Sequence, residues 1–296
     1  MTRLTMLSSM ASPDFIEALD RHAAWGLSDV DLKDRIFGKE ILDLTPEEAC
    51  RAAGELKARG LTVECLSTGM LLMPMEEGEV AFRQAFLPQL DRAVRLAHIL
   101  GARSVRLLSA RTKRRAALRD AVACARAECP WLIPLYREFV DRLHDAGLEA
   151  RIENEVSGNL FSTPAEITQF FEALDRPEKA SLTWDIANLW QEGTFPSLPV
   201  YRQLKPYIGY VHLKGGYGEV AGGPLQGAST LAEASWPVRE IMTEVVRDRV
   251  SPVLCLNPPH GRPRAGAPPG DTTRLDLEFM KALLARLSGE AAGEAA

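Results

Sequence analysis

The chain has 296 residues, 46% of them hydrophobic, and carries a formal net charge of −5 with a pI near 5.7. A chain of this size can bury the core of one large α/β domain. The acidic balance argues against binding of nucleic acid across the whole surface, and no apolar run approaches the roughly 18 residues of a membrane span. Five cysteines without paired spacing argue against a disulfide framework. We therefore expect a cytoplasmic protein with no nucleic-acid or membrane partner.

Eight β-branched or apolar runs alternate with longer helical stretches along the chain, as parallel α/β folds require. Eight strands, each followed by a helix, predict a single-domain (β/α)8 barrel over residues 1–288, with a disordered tail at 289–296. An open Rossmann sheet is less favoured because no G-x-G-x-x-G motif follows the first strand. The predicted strands are 4–10, 28–34, 61–68, 104–109, 149–155, 180–186, 209–215 and 251–257.

Helix starts are marked by hydroxyl residues followed by proline, at Ser12-Pro13, Thr45-Pro46 and Thr163-Pro164. Glu48 and Glu166 then complete capping boxes in the last two. Three longer segments follow strands and are expected on the active-site face of a barrel: 110–130, with an extra helix, 215–235 and 258–270.

Side-chain alternation places four polar residues inward at the ends of the last four strands: Glu153, Asp185, His212 and Asn257. The alternating apolar residues, such as Trp184 and Val211, then face the helices. Neighbouring strands lie about 4.8 Å apart, so inward groups at matching heights can converge on one ion. Two carboxylates and an imidazole suit Mn, Mg, Co or Zn and do not resemble a closed structural zinc site.

Each of these residues also has a structural interpretation. Glu153 can pair with inward Arg106 or Arg151, Asp185 can cap the next helix, and His212 can be a hydrogen-bonded core residue. Together they favour a site, because buried charge is costly unless it is paired or bound to metal. Glu155 shares the direction of Glu153 and competes with it as the ligand.

Three motifs carry a resemblance to a known family: IEN at 152–154, WDIANLW at 184–190 and YVHLKG at 210–215. They resemble the ligand-bearing strand ends of the xylose-isomerase-like TIM barrels, the sugar and sugar-phosphate isomerase/epimerase superfamily. The resemblance implies that Glu153, Asp185 and His212 bind a divalent metal and that Glu153 also transfers protons. Asn257 stands where family members commonly have a glutamate that is both fourth ligand and second base. A neutral amide can ligate metal but cannot accept the proton.

Five further residues are candidates for the same site. Lys214 shares the inward direction of His212 and is a candidate for catalysis and for binding a substrate oxygen, or else for a salt bridge. His260 is a candidate loop base, or else simply exposed. Asn188 and Trp190 are candidates for a hydrogen bond to a sugar and a stacking wall, or for loop packing, and Arg106 is a further candidate substrate ligand.

Two other features bear on the substrate. A basic run, Arg111, Lys113, Arg114 and Arg115, either attracts an anionic substrate or forms a solvated surface. Gly215 occupies a position where the family often has an acidic residue, which removes one polar contact.

The leading hypothesis is a metal-dependent isomerase or epimerase of carbohydrate metabolism that acts on a sugar or a related polyhydroxylated carbonyl compound. A dehydratase that needs only one strong base tolerates Asn257 better, and a non-catalytic sugar-binding barrel is the third alternative. An endonuclease-IV-like site is disfavoured because three of the five histidines, His22, His98 and His144, fall in predicted helices. The sequence is compatible with a homo-oligomer.

Overall fold

The computed structural model describes residues 2–221, 223–258 and 272–294. Eight parallel strands form one sheet in which each strand from the second onward pairs with the next along the chain and the last pairs with the first, and a bridge between Leu7 and Asp31 brings the two edges of the sheet together. The predicted single-domain (β/α)8 barrel is thus confirmed. The strands are β1 Arg3–Met6, β2 Asp29–Lys33, β3 Thr62–Ser67, β4 Ser104–Leu108, β5 Glu149–Glu153, β6 Ala180–Asp185, β7 Ile208–Leu213 and β8 Val253–Leu256.

Helices follow the strands and cover the outside of the barrel. None of them, within the described ranges, is long and apolar enough to cross a membrane. The helices are α1 Ser8–Ala11, α2 Phe15–Ala24, α3 Pro46–Ala58, α4 Gly78–Leu100, α5 Ala121–Glu128, α6 Leu132–Asp145, α7 Pro164–Leu174, α8 Ile186–Gln191, α9 Leu198–Leu204, α10 Val238–Asp248 and α11 Thr272–Glu294.

Local sequence signals locate most element boundaries, with two corrections at the N-terminus. Both predicted capping boxes form, at Thr45 and Thr163. The first strand was predicted to reach residue 10 but ends at Met6, because the chain turns into α1 at the barrel mouth. Ser12 does not cap α2. Asp14 does so by accepting a hydrogen bond from the Glu17 amide, and the Ser12 hydroxyl donates to the Glu17 carboxylate instead.

The two faces of the strands pack differently. The residues predicted to face the helices lie in the main hydrophobic core: Ile152, Leu182, Trp184, Val211, Leu213, Leu254 and Leu256. A second, smaller cluster includes Cys65 and Tyr210, and close to it the buried Arg151 donates to the buried Glu64 at 2.7 Å. At the N-terminal end of β1, the partly exposed Arg3 donates to Asp29 at 2.8 Å.

Several connections enlarge the C-terminal face of the barrel. After β2 the chain forms a hairpin, Arg35–Ile36 with Lys39–Glu40, and a short 3-10 turn, Ile41–Asp43. The extra helix predicted in 110–130 is α5. The last helix ends at Glu294 and so includes residues 289–294 of the predicted tail. His260 lies outside the described residues.

Candidate active site at the barrel mouth

Three of the predicted ligands meet at the C-terminal ends of neighbouring strands. Glu153 ends β5, Asp185 ends β6, and His212, which is paired with Asp185 in the sheet register, lies one residue before the end of β7. One nitrogen or oxygen atom from each of the three lies within 4.8 Å of the other two, and all three side chains are buried. The structure therefore assembles the donor set that the strand alternation predicts.

Glu153 is bound on both carboxylate oxygens. Nη1 of Arg106 donates to Oε2 at 2.7 Å, and Nδ1 of His212 donates to Oε1 at 2.7 Å. Burial favours the neutral acid, but the charges of His212 and Arg106 overcome it and lower the pKa of Glu153 to about 2. Burial likewise opposes the imidazolium form, yet Glu153 holds the pKa of His212 well above its ordinary value.

Asp185 is also fully engaged. Its Oδ1 accepts the backbone N–H of Asn188 at 2.9 Å and so caps α8. Its Oδ2 lies 3.2 Å from the Lys214 ammonium and 3.3 Å from Nδ2 of Asn257. Burial opposes the charge on Lys214, but the Asp185 carboxylate outweighs it and raises the pKa of Lys214.

The carboxylate oxygens proposed as metal ligands are therefore the same atoms that already form structural contacts. Glu153 is the partner of Arg106, and Asp185 is a helix cap with Lys214 beside it. A divalent ion suits the donor types and their spacing, but it would have to displace the proton of His212 that points to Glu153 and compete with Arg106 and Lys214 for the carboxylate oxygens.

Two asparagines fix the relative position of β5 and β6. The side chain of Asn154 exchanges two hydrogen bonds with the backbone of Asp185, accepting from its N–H at 2.8 Å and donating to its carbonyl at 2.9 Å. Asn188 donates to the Asn154 carbonyl at 3.0 Å and to Glu155 at 3.2 Å, and accepts from Lys214. The positioning role of Asn154 was missed, although it lies within the IEN motif.

A further carboxylate lies beneath the site. Asp31 on β2 is completely buried, its Oδ2 accepts from the Tyr210 hydroxyl at 3.1 Å, and it lies 3.7 Å from Nε2 of His212. The imidazole is thus held between two carboxylates, Asp31 below and Glu153 above. The alternation of Asp29, Asp31 and Lys33 along β2 is the signal that could have identified this residue.

A cavity of about 530 Å³ opens beside the cluster, over the ends of β2, β3 and β4. Arg106 and Glu155 belong to its lining, as do the neutral polar residues Ser67, Thr68 and Gln89. The volume is in the range of small-molecule sites. Burial raises the pKa of Glu155, and the nearby Glu153 charge adds to the effect. The described lining includes Arg106 and Glu155 but neither Glu153 nor Trp190.

Trp190 lies under the loop that follows β7. It is 3% exposed and packs against Trp236, with ring centroids 5.4 Å apart, and against Phe195 at 5.7 Å. A Cβ on Gly218 would lie 3.2 Å from its Nε1, so the loop passes directly over the indole. This packing matches the structural interpretation of Trp190, and its role in sugar stacking stays a prediction.

Gly215 shows why an acidic residue does not follow the H-x-K motif here. A Cβ at this position would lie 2.2 Å from the carbonyl oxygen of Ser229 and 2.7 Å from that of Thr230. The loop after β7 folds back onto the strand end and leaves no space for a side chain.

We expect Gly215→Asp to destabilise the fold by about 1–3 kcal/mol, because the carboxylate must displace two backbone carbonyls. Urea denaturation checks the change in unfolding free energy, and limited proteolysis checks the loop. Gly54→Ala is the control, since Gly54 lies exposed in α3 with no atom within 4 Å of an added Cβ. That variant should gain about 0.5–1 kcal/mol. Equal effects of the two variants would contradict the packing described here.

A family model described as the xylose isomerase-like TIM barrel matches residues 19–283. The chain belongs to this family. The resemblance stated from the strand-end motifs is therefore confirmed. No curated protein sequence matches the chain.

Solved structures of low sequence identity share the fold. A xylose isomerase-like TIM barrel protein from Mycobacterium smegmatis in complex with magnesium is 16% identical, with 97% of each chain covered and a TM-score of 0.69. A probable 3-DHS dehydratase from Bacillus anthracis is 15% identical, with 95% and 99% covered and a TM-score of 0.70. A D-tagatose 3-epimerase-like protein is 11% identical, with 98% and 100% covered and a TM-score of 0.73.

Proposed function

We propose that the protein is an enzyme that moves a proton on a small polyhydroxylated carbonyl compound, as an isomerase or epimerase of sugar metabolism. The observation that carries this is the juxtaposition of the Glu153, Asp185, His212 and Lys214 cluster with a cavity of small-molecule size. Buried charges at the carboxyl ends of barrel strands, beside a cavity, are typical of catalytic sites.

Glu153, Asp185 and His212 are the proposed ligands of a divalent metal, with Asn257 as a fourth. The support is their buried oxygen and nitrogen donors within 4.8 Å and the position of Asn257 beside Asp185. When bound, such an ion polarises a carbonyl and acidifies the adjacent C–H bond. The magnesium complex of one structural neighbour supports this proposal.

The protein's own groups supply the rest of the proposed chemistry. Lys214 is buried, cationic and held by Asp185 and Asn188, so it can stabilise negative charge on a substrate oxygen. Glu153 is the proton-transfer group that the family resemblance implies. Glu155 competes with it, because Glu155 lines the cavity while both oxygens of Glu153 are bound.

Dehydration is the second candidate reaction. Asn257 cannot accept a proton, so a two-base epimerisation lacks the usual second base on β8. Loss of a β-hydroxyl after proton abstraction requires one strong base and is compatible with this replacement. One structural neighbour is described as a probable dehydratase.

Turnover of a panel of ketoses and polyhydroxylated cyclic ketones in deuterated water tests the proposal. We expect deuterium to enter at the carbon next to the carbonyl, with isomer formation for an isomerase and loss of water for a dehydratase. Glu153→Gln and Glu155→Gln variants identify the base, whose removal should lower kcat by about 10²–10⁴-fold. Binding without exchange by the wild type would instead support a non-catalytic sugar-binding barrel.

A further inference from the structure

The charges around the cavity at the barrel mouth carry information about the substrate. Three basic residues line it, Lys33, Arg92 and Arg106, and each is tied to a carboxylate. Nζ of Lys33 lies 2.7 Å from both oxygens of Asp34. The positive charge of each of these residues is therefore already balanced by a protein carboxylate before a ligand binds.

The other two cations are held in the same way. Nη1 of Arg92 donates to the Leu42 carbonyl at 3.0 Å and to Asp43 at 3.3 Å. Arg106 donates to Glu153 at 2.7 Å, and its Nε and Nη2 donate to the Thr68 carbonyl. All three nitrogens of the Arg106 guanidinium thus donate to protein acceptors, whereas the half-exposed Arg92 is held through Nη1.

The acidic residues of the lining outnumber the basic ones. The lining contains Asp34, Glu40, Asp43 and Glu155 together with the three cations, so the described lining has no excess of positive charge. Recognition of a phosphate group depends on cations or backbone N–H groups free to donate to it.

Two further places bear on anion binding. In the basic run after β4, Lys113 pairs with Glu77 at 2.7 Å and Arg115 with Glu166 at 2.6 Å, whereas Arg111 forms no ion pair among the described residues and is not part of the cavity lining. At the end of β7, the carbonyl oxygens of Ser229 and Thr230 pack against Gly215. Carbonyl oxygens repel a phosphate.

We infer that the cavity takes an uncharged polyhydroxylated compound rather than a phosphorylated one. This rests on the proposed function, since it assigns the substrate class of the same site. Neutral polar side chains of Ser67, Thr68 and Gln89, together with carboxylates that accept hydrogen bonds from hydroxyl groups, provide the contacts that a free sugar needs.

The test measures binding, so it does not depend on turnover. Isothermal titration of the full-length wild type compares free ketohexoses and ketopentoses with their phosphate esters, with inorganic phosphate as a separate probe. We expect at least one neutral compound to bind about tenfold or more tightly than its own ester. Esters that bind as tightly as the neutral compounds, or no binding by any neutral compound, overturn the inference. A neutral sugar that binds without deuterium exchange supports the inference while contradicting the proposed catalysis.

Asp34→Asn provides a gain-of-function test. Asp34 has a φ of 65°, a conformation that asparagine also adopts readily, so the backbone should be preserved. The substitution releases Lys33, and we expect the affinity for the ester to rise about tenfold relative to the affinity for the neutral sugar.

Glu40→Gln is the matched control. It removes one negative charge from the same lining, but its partner is Arg35, which is not among the described lining residues. A gain in ester affinity specific to Asp34→Asn supports the assignment. An equal gain in both variants, or none in either, contradicts the claim that ion pairing with Asp34 excludes phosphate.

Discussion

Arg106→Met is expected to destabilise the protein by about 3–5 kcal/mol, because it leaves the buried Glu153 carboxylate without its guanidinium partner. Both side chains of this pair are less than 10% exposed, and Arg106 also binds the Thr68 carbonyl. Equilibrium unfolding in urea measures the loss. Because removal of one partner of a buried pair costs more than removal of both, the double variant Arg106→Met/Glu153→Met should recover part of it.

The control for this prediction is an exposed pair. Arg35 and Glu40 lie 2.9 Å apart with both side chains more than half exposed, so Arg35→Met should cost less than about 1 kcal/mol. Similar losses for Arg106→Met and Arg35→Met would show that the buried pair has no special importance.

The Arg106 variant should also unfold at higher pH in an acid titration. The pKa of Glu153 is lowered from 4.5 to about 2, so its contribution to stability is present above about pH 4.5 and is lost as the pH falls toward 2. Without Arg106 the pKa of Glu153 rises, because one of the two cations that lower it is gone. The acid midpoint, followed by circular dichroism, should therefore shift upward.

Asn257→Glu is expected to tighten divalent-metal binding by about tenfold or more, equivalent to about 1.4 kcal/mol. The amide of Asn257 lies 3.3 Å from Oδ2 of Asp185, so a glutamate here adds an anionic donor beside the proposed ligands. The same change should destabilise the metal-free protein, because a further carboxylate is buried next to Asp185. Titration of the chelator-treated protein with Mn²⁺ or Zn²⁺ measures the affinity, and denaturation with and without metal measures the coupling.

Asn257→Gln is the matched control, since it has the length of glutamate without its charge. It should leave the metal affinity near that of the wild type. Asp185→Ala in the Asn257→Glu background should abolish the gain. An affinity that is the same in wild type, Asn257→Glu and Asp185→Ala would place the metal elsewhere or exclude it from this cluster.

Much of the architecture could be predicted from sequence because it depends on local periodicity. The eight strands, the capping boxes at Thr45 and Thr163 and the extra helix α5 each follow from patterns within a few residues. The dependence on local patterns also explains why the predicted first strand is too long. The apolar run through Met10 is compatible with both a strand and the short helix α1.

The sequence by itself determined which polar residues point inward at the strand ends, because side chains alternate along a strand: Glu153, Asp185 and His212 follow from this rule. Only the tertiary structure decided what these groups contact. Arg106 comes from a neighbouring strand and Lys214 reaches across to Asp185, and neither pairing is encoded in local spacing. The same holds for the space that Ser229 and Thr230 take from Gly215. Contacts between distant residues depend on how the barrel closes, and they set the charge of the site.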